Sequence, residues 1–226
     1  MSKTIEVFDG WAERGRAEGM EAGHKPRAQA ALDAIPLESG QRVLDLGCGN
    51  GWAARWLREQ TGPGGSAVGV DAAPLMIERA RAQSEGVAGV AFEVALFEAL
   101  PWGAAEFDHA FSFEALYYAV DLPLALREIQ RVLKPGGTLT IGTDFYEENP
   151  HCHGWPDMMQ IPMQLMAEQG WIEALETAGF KVEKTFRCLD SRPVDPEWPA
   201  EKQASEHEFR TKIGSLALCA VSVQSD

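Results

Sequence analysis

The stretch "VLDLGCGNGW" (residues 43–52) decides the fold of this chain. Its apolar run predicts a buried strand that carries Asp45 near its end, and Gly47, Gly49 and Gly51 then form a turn before a helical pattern begins. Glycines allow a tight turn and let the backbone approach a ligand with no Cβ in the way. A strand that leads through a glycine-rich turn into a helix is typical of nucleotide-binding folds.

Strands and helices alternate around this unit. Apolar runs predict strands at 42–47, 66–71, 90–96, 107–113 and 138–143, and helical spacing predicts helices at 51–60, 74–84 and 122–133. Such alternation predicts a three-layer, Rossmann-like α/β fold with a mostly parallel sheet and right-handed crossovers. A helix over 162–178 and strands over 180–189 and 213–223 follow, separated by a proline-rich surface loop at 190–202.

Two flanking segments read differently. Residues 1–40 predict one or two helices, and Gly15, Gly19 and Gly23 recur there every four residues. Each glycine weakens a helix by about 1 kcal/mol relative to alanine, so both a mobile lid and close packing on a neighbour are open. Residues 144–162 are rich in proline, histidine and aromatic residues and predict an irregular loop over the substrate pocket. There His151, His153 or Trp155 would contact the substrate.

Composition narrows the function classes. The 226 residues fit one domain, and the formal net charge of −14 argues against nucleic acid, because an acidic surface repels phosphates. Attraction of a cationic substrate, adaptation to high salt and plain solubility remain open as reasons for the charge. No apolar window is long enough to span a membrane, and the N-terminus has no signal-peptide core. Four scattered cysteines, with no C-x-x-C pair, favour a reduced, cytoplasmic protein.

The glycine spacing and two acidic residues indicate the ligand. A buried Asp45 would oppose the pyrophosphate of a dinucleotide but suits a cationic group, and the spacing G-x-G-x-G differs from G-x-G-x-x-G. Asp71 ends the second strand, where a carboxylate can accept both hydroxyls of a ribose. A cofactor with a ribose and a cationic centre is S-adenosyl-L-methionine (SAM). The simpler alternative is that Asp45 and Asp71 merely cap the turn and helix that follow them.

Five segments in the expected order carry a family resemblance: four quoted below and the strand over 138–143 that follows them. "VLDLGCGNG", "VGVDAAPLMIERAR", "EALPW" and "FDHAFSFEALYYAVDLPLALREIQRVLKPGG" resemble the class I SAM-dependent methyltransferases, particularly the type 11 group that includes ubiquinone/menaquinone-biosynthesis enzymes. The resemblance covers roughly residues 40–143. It implies a seven-stranded sheet with an antiparallel last strand, a methyltransferase domain over 41–226 behind a helical lid over 1–40, and S-adenosyl-L-homocysteine (SAH) as product.

The resemblance also implies which residues contact the cofactor. Asp45 and the backbone of Gly47 would bind the methionine end of SAM, and Asp71 would bind the ribose hydroxyls. The further implied contacts are Gly49 and Asn50 beside the cofactor, Ala72, Met76 and Phe97 at the adenine, and Phe111 and Ser112 at the methionine portion and methyl group. Leu96 stands where many relatives carry an acid that binds the adenine amino group. Water, Glu98, or Phe97 with backbone groups would then hold the adenine.

The candidates for catalysis are Glu114, Tyr117 and His24. Glu114 follows the fourth strand and could orient or deprotonate an amine; Tyr117 and Tyr118 could wall the pocket, and His24 could close over SAM together with Trp11 and Arg14. Each has a structural alternative in capping or packing. His151, Cys152 and His153 are too crowded to ligate one ion, so we expect no metal.

These residues together predict a function and its partners. We expect methyl transfer by in-line displacement to a small-molecule acceptor, without nucleic-acid or membrane partners and with a homodimer left open. The alternatives are a non-catalytic SAM-binding regulatory protein of the same fold and, less favoured, a nicotinamide-dependent oxidoreductase.

Overall fold

The computed structural model describes residues 2–223. Its helices are α1 (Lys3–Glu13), α2 (Arg16–Asp33), α3 (Trp52–Gln60), α4 (Pro74–Gln83), α5 (Leu122–Val132), α6 (Trp155–Met159), α7 (Glu168–Thr177) and α8 (Ala200–Glu208). Its strands are β1 (Arg42–Leu46), β2 (Ser66–Asp71), β3 (Val90–Val94), β4 (Phe107–Phe113), β5 (Leu133–Thr143), β6 (Phe180–Cys188) and β7 (Ser215–Ser222).

The seven strands form one sheet in the order β3-β2-β1-β4-β5-β7-β6. β7 runs antiparallel to both of its neighbours, and the other pairs are parallel. Helices cover both faces, so the strand centres are buried on both sides; Val43, Leu44 and Leu46 of β1 have no exposed surface. The expected Rossmann-like sheet with an antiparallel last strand is confirmed.

Local sequence explains why α5 forms where it does. Asp121 caps the helix, its Oδ1 accepting a hydrogen bond of 2.9 Å from the amide of Leu124. Leu122, Leu126 and Ile129 recur at helical spacing and are buried against the sheet. The observed helix, Leu122–Val132, therefore agrees closely with the helix predicted over 122–133.

Three elements depart from the sequence-based expectation. β5 begins at Leu133, because Leu133 pairs with Phe107 ahead of a bulge, after which Thr138 pairs with His109. α7 begins only at Glu168, because Gln164 is held outside the helix by hydrogen bonds from its amide to the Tyr117 carbonyl and from its side chain to the Ala119 carbonyl.

The third departure is α8, which the sequence did not predict at all. None of its residues is buried, so it has no apolar stripe that could serve as a signal. A π-helical turn, Phe209–Ile213, follows it and leads into β7.

The N-terminal segment forms two helices that break at Gly15, whose φ of 70° lies in the left-handed region. Gly19 and Gly23 lie inside α2 without breaking it. α1 docks on the start of α4, where Asp9 Oδ1 accepts a hydrogen bond of 2.9 Å from the Leu75 amide. Within residues 2–223, no helix is both long and apolar enough to pass through a bilayer.

Candidate functional site

A deep cleft opens at the carboxyl ends of the parallel strands, beside the point where the strand order reverses between β1 and β4. Open α/β sheets bind their ligands at such a point. The cleft holds about 960 Å³ of empty space, counting the part that is open to solvent. One wall is the glycine loop after β1 with the segments that follow β2 and β4, and the other wall comes from α1 and α2.

The glycines of the loop serve different purposes. Gly47 has a φ of +73°, and a Cβ placed on it would lie 2.2 Å from the Cβ of Ala115. Gly51 has a φ of +79°, and its Cβ would lie 2.5 Å from the ring of Phe92. Gly49 also has a positive φ, but no atom lies within 4 Å of where its Cβ would be. Gly47 and Gly51 therefore allow close packing, whereas Gly49 leaves open space above the loop.

Asp45 lies beneath this loop and is only 2 % exposed. Burial raises its pKa to about 7, and nearby Asp71 adds to the rise. Its Oδ2 has no hydrogen-bond partner among the described residues. An unpaired buried carboxylate oxygen is costly, so a cationic ligand group such as the amino group of SAM would stabilise it. Asp45 is not among the residues that line the cleft.

Asp71 lies at the cleft with both oxygens fixed by the backbone. Its Oδ2 accepts a hydrogen bond of 3.0 Å from the Gly49 amide, and its Oδ1 accepts one of 2.9 Å from the Ala73 amide. Burial raises its pKa, while these amides oppose the rise. Each oxygen keeps a lone pair, which is what binding two ribose hydroxyls requires. Ala72 and Met76 line the cleft beside it.

Asn50 lines the cleft but is engaged with α2. Its side-chain amide donates a hydrogen bond of 2.8 Å to Glu21 Oε2, and Glu21 lies 3.6 Å from an Arg55 guanidinium nitrogen. Asn50 therefore ties the glycine loop to the helix that covers it.

The segment after β3 lines the cleft through Leu96, Phe97 and Glu98. Leu96 is 47 % exposed and offers no hydrogen-bond acceptor on its side chain. Glu98 Oε1 already accepts hydrogen bonds from the amides of Val120 (2.7 Å) and Asp121 (3.0 Å). The Phe97 ring lies over the glycine loop, with its Cζ 3.4 Å from the position of a Cβ on Gly47.

Phe111 and Ser112 do not face the cleft, contrary to what the resemblance implied. Phe111 is fully buried in the core, and the Ser112 hydroxyl donates a hydrogen bond of 3.1 Å to the Leu46 carbonyl. β4 continues to Phe113, so both residues are still inside the sheet, paired with β1. Phe113, Glu114 and Ala115 line the cleft in their place.

Glu114 turns the chain into the cleft with a φ of +59°, a left-handed conformation uncommon for a non-glycine residue. Its Oε2 accepts a hydrogen bond of 3.0 Å from the Tyr117 hydroxyl, and its Oε1 accepts one from the Asp144 amide. Burial and then the Asp144 carboxylate raise its pKa to about 8. Tyr117 itself is buried and does not line the cleft, whereas Tyr118 does.

His24 lines the cleft from α2, with its ring centroid 5.9 Å from that of Phe113. Burial and then the charge of Arg27 lower its pKa to about 3. His24 is therefore a neutral side chain in the cleft wall near neutral pH. Such a weakly basic imidazole does not fit the role of a catalytic base. Trp11 and Arg14 are not among the lining residues; Trp11 packs against Phe8 at 5.1 Å between ring centroids.

The segment 144–162 does not cover the cleft, since none of its residues lines it. His153 Nε2 lies 2.9 Å from the Glu147 carbonyl oxygen, and the Trp155 ring stacks on Phe145 at 5.9 Å. The expectation that His151, His153 or Trp155 contacts the substrate is thus not met, because the segment packs behind Glu114 and Tyr117. Within the described chain no three His, Cys, Asp or Glu side chains are grouped to hold a metal.

The cover comes instead from α1, within the expected helical lid over 1–40, although the side chains that line the cleft are not the expected Trp11 and Arg14. Ser2, Thr4, Ile5 and Phe8 line the cleft opposite the glycine loop. Apolar spacing could predict that α1 is amphipathic, but which face meets the cleft depends on its docking to α4.

Comparisons with known proteins agree with this geometry. A family profile described as a methyltransferase domain matches residues 37–184. The O-methyltransferase resE of Aspergillus sclerotiorum is 30% identical over 222 residues, covering 95% of this chain and 83% of that protein. The first curated relatives are longer, and the matched segments span 32%, 44% and 60% of their lengths.

Among solved structures, a complex between the Haloferax volcanii Trm112 methyltransferase activator and a chain described as a methyltransferase matches with a TM-score of 0.89 and 36% identity, over 96% of this chain and 98% of that chain. A SAM-dependent methyltransferase from Mesorhizobium loti matches at 22% identity, with a TM-score of 0.66 over 86% of this chain and 97% of that one. The latter similarity supports the fold alone.

The complex overturns the expectation about partners. That expectation named a small-molecule acceptor and left a homodimer open, whereas a protein of this fold and 36% identity was solved with a different protein, an activator. The partner prediction is therefore wrong. The fold, the profile match and the full-length similarity agree on the family, whose cofactor is SAM: this chain belongs to the class I SAM-dependent methyltransferases.

Proposed function

We propose that this protein transfers a methyl group from SAM by in-line displacement inside the cleft. The observation that carries the proposal is the pair of carboxylates on either side of the glycine loop. Asp45 has a buried oxygen without a partner, and Asp71 has two oxygens that the backbone holds in place. This pair suits one ligand with a cationic amino group and a ribose.

Each wall of the cleft has a part in this function. Asp45 and the glycine loop would hold the methionine end, Asp71 the ribose, and Phe97 with Met76 the adenine. Bound SAM supplies a methyl group activated by a sulfonium. α1 and α2 exclude water from the cleft, and transfer then depends mainly on alignment of the acceptor atom with the methyl group.

Glu114 is the acceptor-facing residue in this proposal. Glu114 lies in the wall beside Ala115, and its carboxyl group is held by Tyr117 and the Asp144 amide. A carboxyl group with a pKa of about 8 can take a proton from an acceptor near neutral pH once it is ionised. This buried acid favours catalysis over a purely regulatory SAM-binding role.

Labelled methyl transfer tests the proposal. Calorimetry with SAM and SAH checks cofactor binding first. Incubation with methyl-labelled SAM then measures transfer of the labelled methyl group to an acceptor and release of SAH. Absence of binding to both compounds would refute the proposal. Binding without any label transfer, with and without the partner described next, would support the regulatory alternative instead.

We further propose that the protein acts together with an activator protein of the Trm112 type. The support is the Haloferax volcanii complex, whose methyltransferase chain resembles this one over nearly its full length. Co-expression with the Trm112-type protein of the source organism should give one complex on gel filtration and raise the melting temperature of this chain. Separate elution, with equal stability and equal methyl transfer in the absence of the second protein, would contradict this.

A further inference from the structure

A chain of buried charged groups extends from Glu114 away from the cleft. Asp144, at the end of β5, is 1 % exposed, and its amide donates to Glu114 Oε1. Its Oδ2 lies 3.3 Å from Nη1 of Arg27, and its Oδ1 accepts a hydrogen bond of 2.5 Å from the Ser215 hydroxyl. Arg27 belongs to α2, the helix that also contributes His24 and Glu21 to the cleft wall.

The charges of this chain do not balance when every group is ionised. The Glu114 carboxyl group accepts a hydrogen bond from the Asp144 amide, which brings the two carboxyl groups near each other, and one guanidinium lies against only the Asp144 carboxylate. A buried site stabilises one anion per cation, so one carboxyl group is ionised and the other tends to keep its proton. Arg27 lies against Asp144, so Glu114 is the group that tends to keep the proton.

The other groups around Glu114 supply no further cation. Burial raises the pKa values of Tyr117, Tyr118 and Cys152, and His24 is neutral, so all four are uncharged near neutral pH. Glu206 lies 3.9 Å from Arg27, and Asp190 also acts on Arg27 through its charge. Arg27 is therefore the cation on which the charge of Glu114 depends.

We propose that Arg27 and Asp144 are positioning residues that set the charge of Glu114 at the cleft, Arg27 favouring the carboxylate and Asp144 the neutral acid. The inference rests on the proposed methyltransferase function. In physical terms, Arg27 is held against Asp144 from α2 and favours the ionised form of Glu114, while the Asp144 carboxylate opposes it. With α2 in place, Glu114 is mostly a neutral acid near neutral pH, and it becomes a carboxylate beside the cationic cofactor as the pH rises through its pKa of about 8.

Measuring the dissociation constants of both SAM and SAH isolates the effect of the charge on Glu114. The two compounds share the amino group, ribose and adenine and differ in the methyl group and the positive charge on sulfur. Contacts with Asp45 and Asp71 are therefore common to both. Ionised Glu114 should favour SAM, so the ratio of the SAH and SAM dissociation constants should rise roughly tenfold or more from about pH 6 to about pH 9. Its midpoint should lie near the Glu114 pKa of about 8.

The proposal predicts that two variants shift the midpoint pH of this ratio in opposite directions. Asp144→Asn removes a like charge and should move the midpoint to lower pH, whereas Arg27→Met removes the cation and should move it to higher pH. Arg27→Lys keeps a charge and should restore a midpoint near that of the wild type. Glu114→Gln should make the ratio independent of pH. Arg131→Met, which removes an ion-paired arginine on α5, is the matched control and should change nothing.

The outcomes separate this inference from the proposed function. If neither SAM nor SAH binds, the proposed function fails, and ¹³C NMR titration of the Glu114 carboxyl group still tests whether the two variants shift its pKa in opposite directions. If both compounds bind but the ratio stays flat with pH, or both variants shift the midpoint the same way, the inference is overturned. If Arg27 had only a structural role, Arg27→Met would lower the stability of the protein without moving the midpoint of the binding ratio.

Discussion

The substitution Gly47→Ala tests how closely the glycine loop is packed. A Cβ at this position would lie 2.2 Å from the Ala115 Cβ, and the φ of +73° is unfavourable for alanine. The left-handed backbone costs about 1–2 kcal/mol, and forcing an extra methyl group into a packed site costs about 1–3 kcal/mol more. The free energy of unfolding should therefore fall by roughly 2–5 kcal/mol, measured by urea unfolding followed by far-UV circular dichroism.

Gly49→Ala is the matched control for the backbone contribution. Its φ is +51° and no atom lies within 4 Å of the added Cβ, so only the conformational cost of about 1–2 kcal/mol applies. The Ala115→Gly substitution should then recover about 1–3 kcal/mol in the Gly47→Ala background but not in the Gly49→Ala background. Equal destabilisation by the two alanines, or no recovery from Ala115→Gly, would refute the steric reasoning.

Three further substitutions test the cofactor contacts. Burial raises the pKa of Asp45 from its ordinary 3.8 to about 7, so the native state binds an extra proton between these pH values. The free energy of unfolding therefore falls as the pH rises through that window, by roughly 4 kcal/mol in full. Asp45→Asn should remove this decline, measured by urea unfolding at about pH 4 and about pH 8, and should weaken SAH binding. Asp71→Asn should weaken SAH binding about 10- to 100-fold by calorimetry through loss of charged hydrogen bonds, whereas exposed Glu85→Gln should leave it unchanged; equal affinities would count against the ribose assignment. Leu96→Asp should tighten SAH binding roughly 3- to 10-fold by adding an acceptor for the adenine amino group, and an unchanged affinity would place the adenine elsewhere.

The sheet and the glycine loop could be predicted because their signals are local. Apolar runs mark strands that are covered on both faces, and Gly47, Asp45 and Asp71 stand at the ends of those runs. The same reasoning missed α8, which buries none of its residues and therefore has no apolar periodicity. It also misplaced the wall after β4: the strand ends at Phe113 as predicted, but Phe111 and Ser112 are still paired with β1 inside the sheet, so the cleft wall begins only at Phe113.

Tertiary docking accounts for the rest of the site. Aromatic and histidine residues in 144–162 suggested a cover, yet they pack behind Glu114 while α1 provides the cover. The contact between Glu114 and Asp144 joins the ends of two strands, and Arg27 reaches it from a helix far away in the chain. No short-range pattern could predict that these three residues meet.

The position of β7 has a consequence for biosynthesis. β7 is the last of the described strands to be made, yet it lies between β5 and β6 in the sheet. While a ribosome is still making the preceding residues, β5 has an open edge, β6 has no strand beside it, and Ser215 is not yet available to Asp144. The nascent chain can assemble its cofactor half early, but it exposes an unpaired strand edge until translation has delivered β7. That interval is when we expect the protein to depend most on chaperones.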